Sequence, residues 1–326
     1  MKYLSLLILL FAASAAEGQW IKQTVNTTAS FRGLSVVNEK IVWASGTGGT
    51  VIRTIDGGKT WNVMTVPDAE KLDLRDIEAF DANTAYILSI GNGESSRIYK
   101  TTDGGKTWKE EFRNTKEKAF YDALDCFNKI HCTALSDPVD GKFVITKTGP
   151  AIPGKMPPAL DGEAAFAASG TCLIKQGDTM FFVTGGKAAR VFRSIDRGYD
   201  WEVFNTPMIK GTPGSGIFSI AMRDAKNGVI AGGNYEKPDE AKDNMAFTSD
   251  GGQTWTLRTG LGGYRSAVAY IDAQTIIAVG TNGTDLSTDG GKTWQKIGSE
   301  DLNAVAAKGK NAVWAVGPKG MVVKLK

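Results

Sequence analysis

The chain has 326 residues, one histidine (His131) and three cysteines, and its 38 Lys+Arg against 35 Asp+Glu leave a formal charge of +3. So few His and Cys exclude a poly-His metal centre and a second four-ligand zinc cage. The even charge excludes a whole-chain polyanion binder, and no nucleic-acid partner is expected. Its 39 glycines, set among short Val/Ile/Thr/Trp runs, point to many strands and many turns.

Lys2 is followed by an apolar run from Tyr3 to Ala13 and by small residues at Ala13-Ser14-Ala15 and Ala16-Glu17-Gly18. This pattern predicts a secretory signal over 1–18, a single domain over 19–326 and a secreted or periplasmic location. The run is shorter than the roughly 20 residues a spanning helix needs, so no membrane span is expected. Next comes Gln19-Trp20-Ile21-Lys22-Gln23-Thr24-Val25, which has the look of a strand without neighbours.

One octapeptide then recurs. It begins at Thr54, Thr101, Ser194, Thr248 and Ser287 and reads Ser/Thr-x-Asp-x-Gly-x-x-Trp, as in Thr54-Ile55-Asp56-Gly57-Gly58-Lys59-Thr60-Trp61. Its chemistry is architectural. The Asp accepts backbone N–H bonds and closes a turn, the Gly permits positive φ, and the Trp opens the next strand as a large ring to bury. The Asp residues fall at 56, 103, 196, 250 and 289, intervals of 47, 93, 54 and 39. The longest interval is two periods, so one repeat has lost its box. A period of about 45 residues is that of a four-stranded propeller blade.

Blade one is predicted as Arg32 to Val37, Ile41 to Gly46, Val51 to Ile55 and Trp61 to Val66. Blade two runs from Leu74 to Phe112. Blade three, Tyr121 to about Pro158, carries the degenerate turn near Thr148-Gly149-Pro150. Blades four, five and six end near Thr206, Gly260 and Ile297. Cys126 and Cys132 flank what looks like a hairpin; a bridge between them, a bridge from Cys132 to Cys172, and three free thiols all stay open. Pro/Gly-rich 149–162 reads as a partner-binding loop or a blade without its box. Tyr235 to Asn244, with four acids, reads as a solvated loop rather than a calcium site. Only three strands remain in Leu302 to Leu325, so the 19–25 strand should complete a seventh blade and Trp20 should latch the ring, leaving no exposed edge there.

The boxes resemble the Asp-boxes of bacterial neuraminidase repeats. Together with Phe31-Arg32-Gly33-Leu34, Leu74-Arg75-Asp76-Ile77, Ser136-Asp137-Pro138-Val139-Asp140-Gly141 and Tyr264-Arg265-Ser266-Ala267-Val268, they make the chain similar to the photosystem II stability/assembly factor-like propellers, a family with many exported bacterial members. The resemblance implies an all-β seven-bladed propeller of the assembly- or stability-factor kind. With one histidine and no assignable nucleophile, a non-catalytic monomer that binds a protein or anionic partner in that manner is expected. The box itself is architecture and assigns no site.

Propeller ligands sit at the mouth of the central channel, which the first strand of every blade lines. Aligning those strands places Arg32, Arg75, Asp122, Phe166, Phe218, Arg265 and Asn303 at equivalent positions. Arg265, Asn303, Arg32 and Arg75 would form one arc, with Asp122 beside it. Converging guanidinium forks suit a carboxylate or other anion, so a protein partner or an anionic small ligand or glycan is expected there. The alternative at those residues is that each Arg pairs with a local acid such as Asp76, Glu78 or Asp122. The alternative function is sialidase-like hydrolysis of anionic glycans, since a sialidase also uses three arginines. The Arg-Ile-Pro signature is absent, however, and Tyr121, Tyr264 and Glu163 have no anchor as a nucleophile pair. No catalytic residue, metal ligand or cofactor is assigned.

Overall fold

The computed structural model describes residues 19–148 and 154–326. The predicted signal at 1–18 lies outside the described residues, and so does most of the degenerate turn of blade three. The described chain is built from seven antiparallel sheets. Their innermost strands touch in the order one to seven and back to one, a closed seven-bladed β-propeller.

Blade one is Phe31–Val36, Val42–Gly46, Thr50–Thr54 and Asn62–Thr65. Blade two is Leu74–Ala79, Ala85–Ser89, Arg97–Thr101 and Lys109–Arg113. Blade four is Leu173–Gln176, Thr179–Val183, Arg190–Ser194 and Glu202–Asn205. Blade five starts at Ser215–Met222 and ends at Thr256–Leu257, and blade six runs from Ala267–Tyr270 to Gln295–Gly298. Blade three has only Tyr121–Cys126, Cys132–Val139 and Lys142–Lys147 among the described residues. Its first hairpin carries the Cys126–Cys132 disulfide; Cys172 is free and buried.

The seventh blade is composite. Ala304–Ala307, Val313–Val316 and Val322–Leu325 are completed by Trp20–Lys22 in the register Trp20↔Leu325, Ile21↔Lys324, Lys22↔Val323. Trp20 is buried with Ile297, Leu302 and Val323, and its Nε1 donates to Thr284 Oγ1 of blade six at 3.0 Å. The latch therefore joins two blades.

Each box is stapled by its own side chains. Thr54 Oγ1 donates to Asp56 Oδ1 at 2.8 Å, Gly58 N donates to Thr54 Oγ1 at 2.9 Å, and Thr60 donates through N and Oγ1 to the two Asp56 oxygens at 2.9 and 2.6 Å. Gly58 has φ 91°, and a Cβ there would stand 2.5 Å from Trp314 of blade seven. The glycine thus permits the turn and also lets it seat against the preceding blade. The box tryptophans are less uniformly buried than expected. Trp201 and Trp255 are buried, whereas Trp61, Trp108 and Trp294 are only partly so. The fully buried tryptophans are Trp43 and Trp314, both on second strands, where neighbouring blades cover both faces.

Candidate functional site

A cavity of about 330 Å³ opens at the channel mouth. Its polar wall is Arg32, Arg75 and Asn303, and its apolar wall is Phe166, Phe218, Tyr235 and Tyr264. Arg32 and Arg75 are held by the same local device. In each innermost strand the register slips by one residue there, between Phe31 and Gly33 and between Leu74 and Asp76. A bulge of this kind bends the strand and re-aims one side chain.

The floor of the cavity was not anticipated. Phe166, expected at the start of blade four, lies before it, since that blade begins at Leu173. The residues before it, 165–170, are a non-strand segment that crosses the channel mouth. Arg32 Nη1 donates to Ala168 O and Arg75 Nη1 to Ala167 O, both at 3.1 Å. Ser169 Oγ donates to Ser266 O on blade six at 2.9 Å. A Cβ on Gly170 would lie 2.2 Å from Asp76 Oδ1, so the crossing fits only with glycine there. Phe166 stacks on Phe218 at 4.0 Å with an interplanar angle of 2°, and Tyr264 meets Phe218 edge-on at 4.8 Å. Short residues on either side of one aromatic, Ala164-Ala165-Phe166-Ala167-Ala168-Ser169-Gly170, were the only signal for this segment in the sequence.

Arg75 Nε pairs with Asp73 Oδ2 at 2.7 Å. Arg32 makes no ion pair among the described residues. Burial and then the neighbouring Arg75 charge pull its pKa below the usual guanidinium value. Two cations therefore face one cavity, and among the described residues Asp73 is the one carboxylate in an ion pair with either; Asp301 acts on Arg32, and Asp122 on Arg75, without contact. Such an arrangement is relieved by an incoming anion.

Two of the predicted arc residues stand elsewhere. Arg265 is fully buried and does not line the cavity. Its Nε and Nη2 donate to Asp285 Oδ2 at 2.9 and 2.5 Å, and its Nη1 donates to Tyr264 O and Asn282 Oδ1. Arg265 stands one residue from the expected register: the pairs Ala267↔Val279 and Ala304↔Val316 make Ser266 the equivalent of Asn303. A slip of one turns a side chain to the opposite face of the strand. Asp122 is buried outside the cavity, with Oδ2 free of hydrogen bonds among the described residues. Burial and then the nearby Asp137 hold its carboxyl well above the usual range.

Asn303 reaches the cavity wall, yet its Nδ2 also donates to Phe31 O at 2.9 Å and so ties blade seven to blade one. Asp76 takes backbone N–H bonds from Ile77 and Leu124 rather than an arginine. Glu163 is sealed in a pair with Arg190, and the Tyr121 hydroxyl bonds Thr146 Oγ1. The acids of the blade-five insertion do not converge: Asp239 accepts from Asn282, and no three Asp, Glu, His or Cys side chains could hold a metal among the described residues.

In sequence, residues 99–110 and 286–296 match the BNR/Asp-box repeat family model. No curated protein matches. Among solved structures the chain is similar to "YCF48 bound to D1 peptide" at 17% identity and TM-score 0.67, covering 95% of this chain and 97% of that one. YCF48 from Cyanidioschyzon merolae is similar at 17% identity and TM-score 0.65, covering 94% and 98%. The WD40 β-propeller domain of Doa1 is similar at 10% identity and TM-score 0.62, covering 94% and 97%.

Proposed function

We propose that this Asp-box propeller is a non-catalytic binding protein that holds an extended segment of a protein partner at the channel mouth, as an assembly or stability factor does. The reading rests on one observation, the convergence of Arg32 and Arg75 on a cavity whose other wall is aromatic. Guanidinium forks take a carboxylate, and Phe166, Phe218 and Tyr264 take an apolar side chain beside it. The similar YCF48 structure is bound to a D1 peptide, and it shares this fold over nearly its whole length. Export to an oxidising compartment belongs to the proposal and accords with the Cys126–Cys132 disulfide.

A sialidase-like site would need a third arginine. Arg265, the one the sequence offered, is buried against Asp285. The experiment is calorimetric titration with a short peptide ending in Phe, as the free acid and as the amide. The free acid should bind, and Arg32→Ala and Arg75→Ala should each weaken it about tenfold or more, the worth of one charged hydrogen bond. Equal binding of acid and amide, binding untouched by both variants, or no binding of either peptide would reject the reading. Turnover of a sialoside that Arg32→Ala abolishes would replace it with the hydrolase.

A further inference from the structure

In six blades a fourth strand covers the outer edge of the third; in blade three none does among the described residues. The edge strand there is Lys142–Lys147, paired on its inner side in the register Thr133↔Lys147, Ala134↔Thr146, Leu135↔Ile145. Thr148 N donates to Cys132 O, so Thr146 bonds the same inner strand. By the alternation of an antiparallel ladder the N–H and C=O groups of Ile145 and Lys147 point outward.

The chain does return beside this edge, as residues 154–159, but it does not pair with it. Pro157 and Pro158 have no N–H to offer a ladder. The rest of the segment is committed to blade four and to the hairpin turn. Lys155 N donates to Asp200 Oδ1 at 2.7 Å, Lys155 O accepts from Trp201 N at 2.8 Å, and Ala159 N donates to Gly141 O at 2.9 Å. A slot of about 360 Å³ is left, with Met156 and Trp201 in its walls. Its charged lining is Lys116, Lys142 and Lys147 against one acid, Asp140. The Lys147 Nζ is buried, has no hydrogen-bond partner among the described residues, and lies 3.2 Å from the Tyr199 ring centroid.

We propose that this slot at the outer edge of blade three is a second binding site, which takes an extended acidic segment of a partner protein as the missing fourth strand. The outward N–H and C=O groups supply the ladder, and the apolar walls supply pockets for alternate side chains. The three lysines choose the charge. They also decide against a second copy of this chain, because two such edges side by side would bring lysine against lysine. The site is separate from the arginine cavity in place, sharing none of its lining residues, and in the backbone ladder by which it holds its ligand.

The test uses the full chain carrying Arg32→Ala and Arg75→Ala, so that the arginine cavity does not compete for Glu carboxylates, and a fluorescent peptide of alternating Val and Glu, capped at both ends. Its Val/Lys counterpart is the control. Fluorescence anisotropy should show saturable binding of the Glu peptide only. Lys142→Glu with Lys147→Glu, added to that background, should weaken it at least about tenfold. Amide exchange at Ile145 and Lys147 should slow when the peptide is bound. No saturable binding, equal binding of the two peptides, or unchanged exchange at Ile145 would overturn the proposal and leave the channel-mouth reading where it stands.

Discussion

Asp76 shows how much one innermost-strand carboxyl is asked to bear. It is buried, accepts N–H bonds from Ile77 and Leu124, and packs against the Gly170 backbone. Burial pushes its pKa up from 3.8 to about 7. An acid with a raised folded-state pKa adds no pH-dependent cost below its unfolded value, then destabilises the fold increasingly as pH rises towards the folded value. Asp76→Asn should therefore gain on the wild type between pH 4 and 7, by as much as about 4 kcal/mol, and be flat beyond. Urea unfolding across that range reads it; parallel curves would mean Asp76 does not titrate in the fold. Arg265 is the instructive miss at this scale. Its type and neighbourhood were legible, but one place of register separates the cavity wall from a buried pair with Asp285.

At the scale of the element, the boxes reverse that sign. Asp103 receives Thr107 Oγ1, Thr107 N and Thr101 Oγ1, and these bonds, led by the Thr107 hydroxyl, hold its carboxyl down at about 2. Asp56 and Asp250 are lowered to about 2 in the same way, and Asp289 is lowered too. A depressed carboxyl stabilises the fold fully above its unfolded value of 3.8 and loses that contribution as pH falls towards 2. Asp103→Asn should lower stability at pH 5 and flatten the acid limb between pH 4 and 2. Denaturant midpoints at pH 5, 4, 3 and 2 check this; an unchanged limb would show that the box carboxylate is not a staple. The third box has Asp200 where the others have Thr, and Asp200 gives only its backbone N–H to Asp196. The spacing alone made these elements legible, because the side-chain bonds that staple each box lie within a few residues.

For the whole molecule the decisive joint is Trp20. Repeats touch only their neighbours, so a ring gains its cooperativity from the one place where it is closed by chain ends. Trp20 is buried between the last strand of blade seven and blade six. Trp20→Ala should cost about 3–5 kcal/mol, as large aromatic truncations do. Amide protection in Ile276–Gly280 and Val313–Val316 should fall together. An unchanged melting temperature would reject the latch. Blade three departs from the pattern at the same scale. Its disulfide closes the first hairpin, while its outer edge has no strand among the described residues.

The amino-acid sequence by itself determined the number of blades, their turns and the composite seventh sheet, because these follow from short-range chemistry repeated at a regular interval. It also marked Arg32 and Arg75 as residues of the channel mouth. Only the tertiary structure decided that residues 165–170 cross that mouth, that Arg265 is shut away, and that Tyr235 and Tyr264 join the wall. These depend on which faces of distant strands meet across the ring, and that is set by single-residue bulges and by contacts between residues more than a hundred positions apart, as from Arg32 to Ala168. No local pattern encodes them.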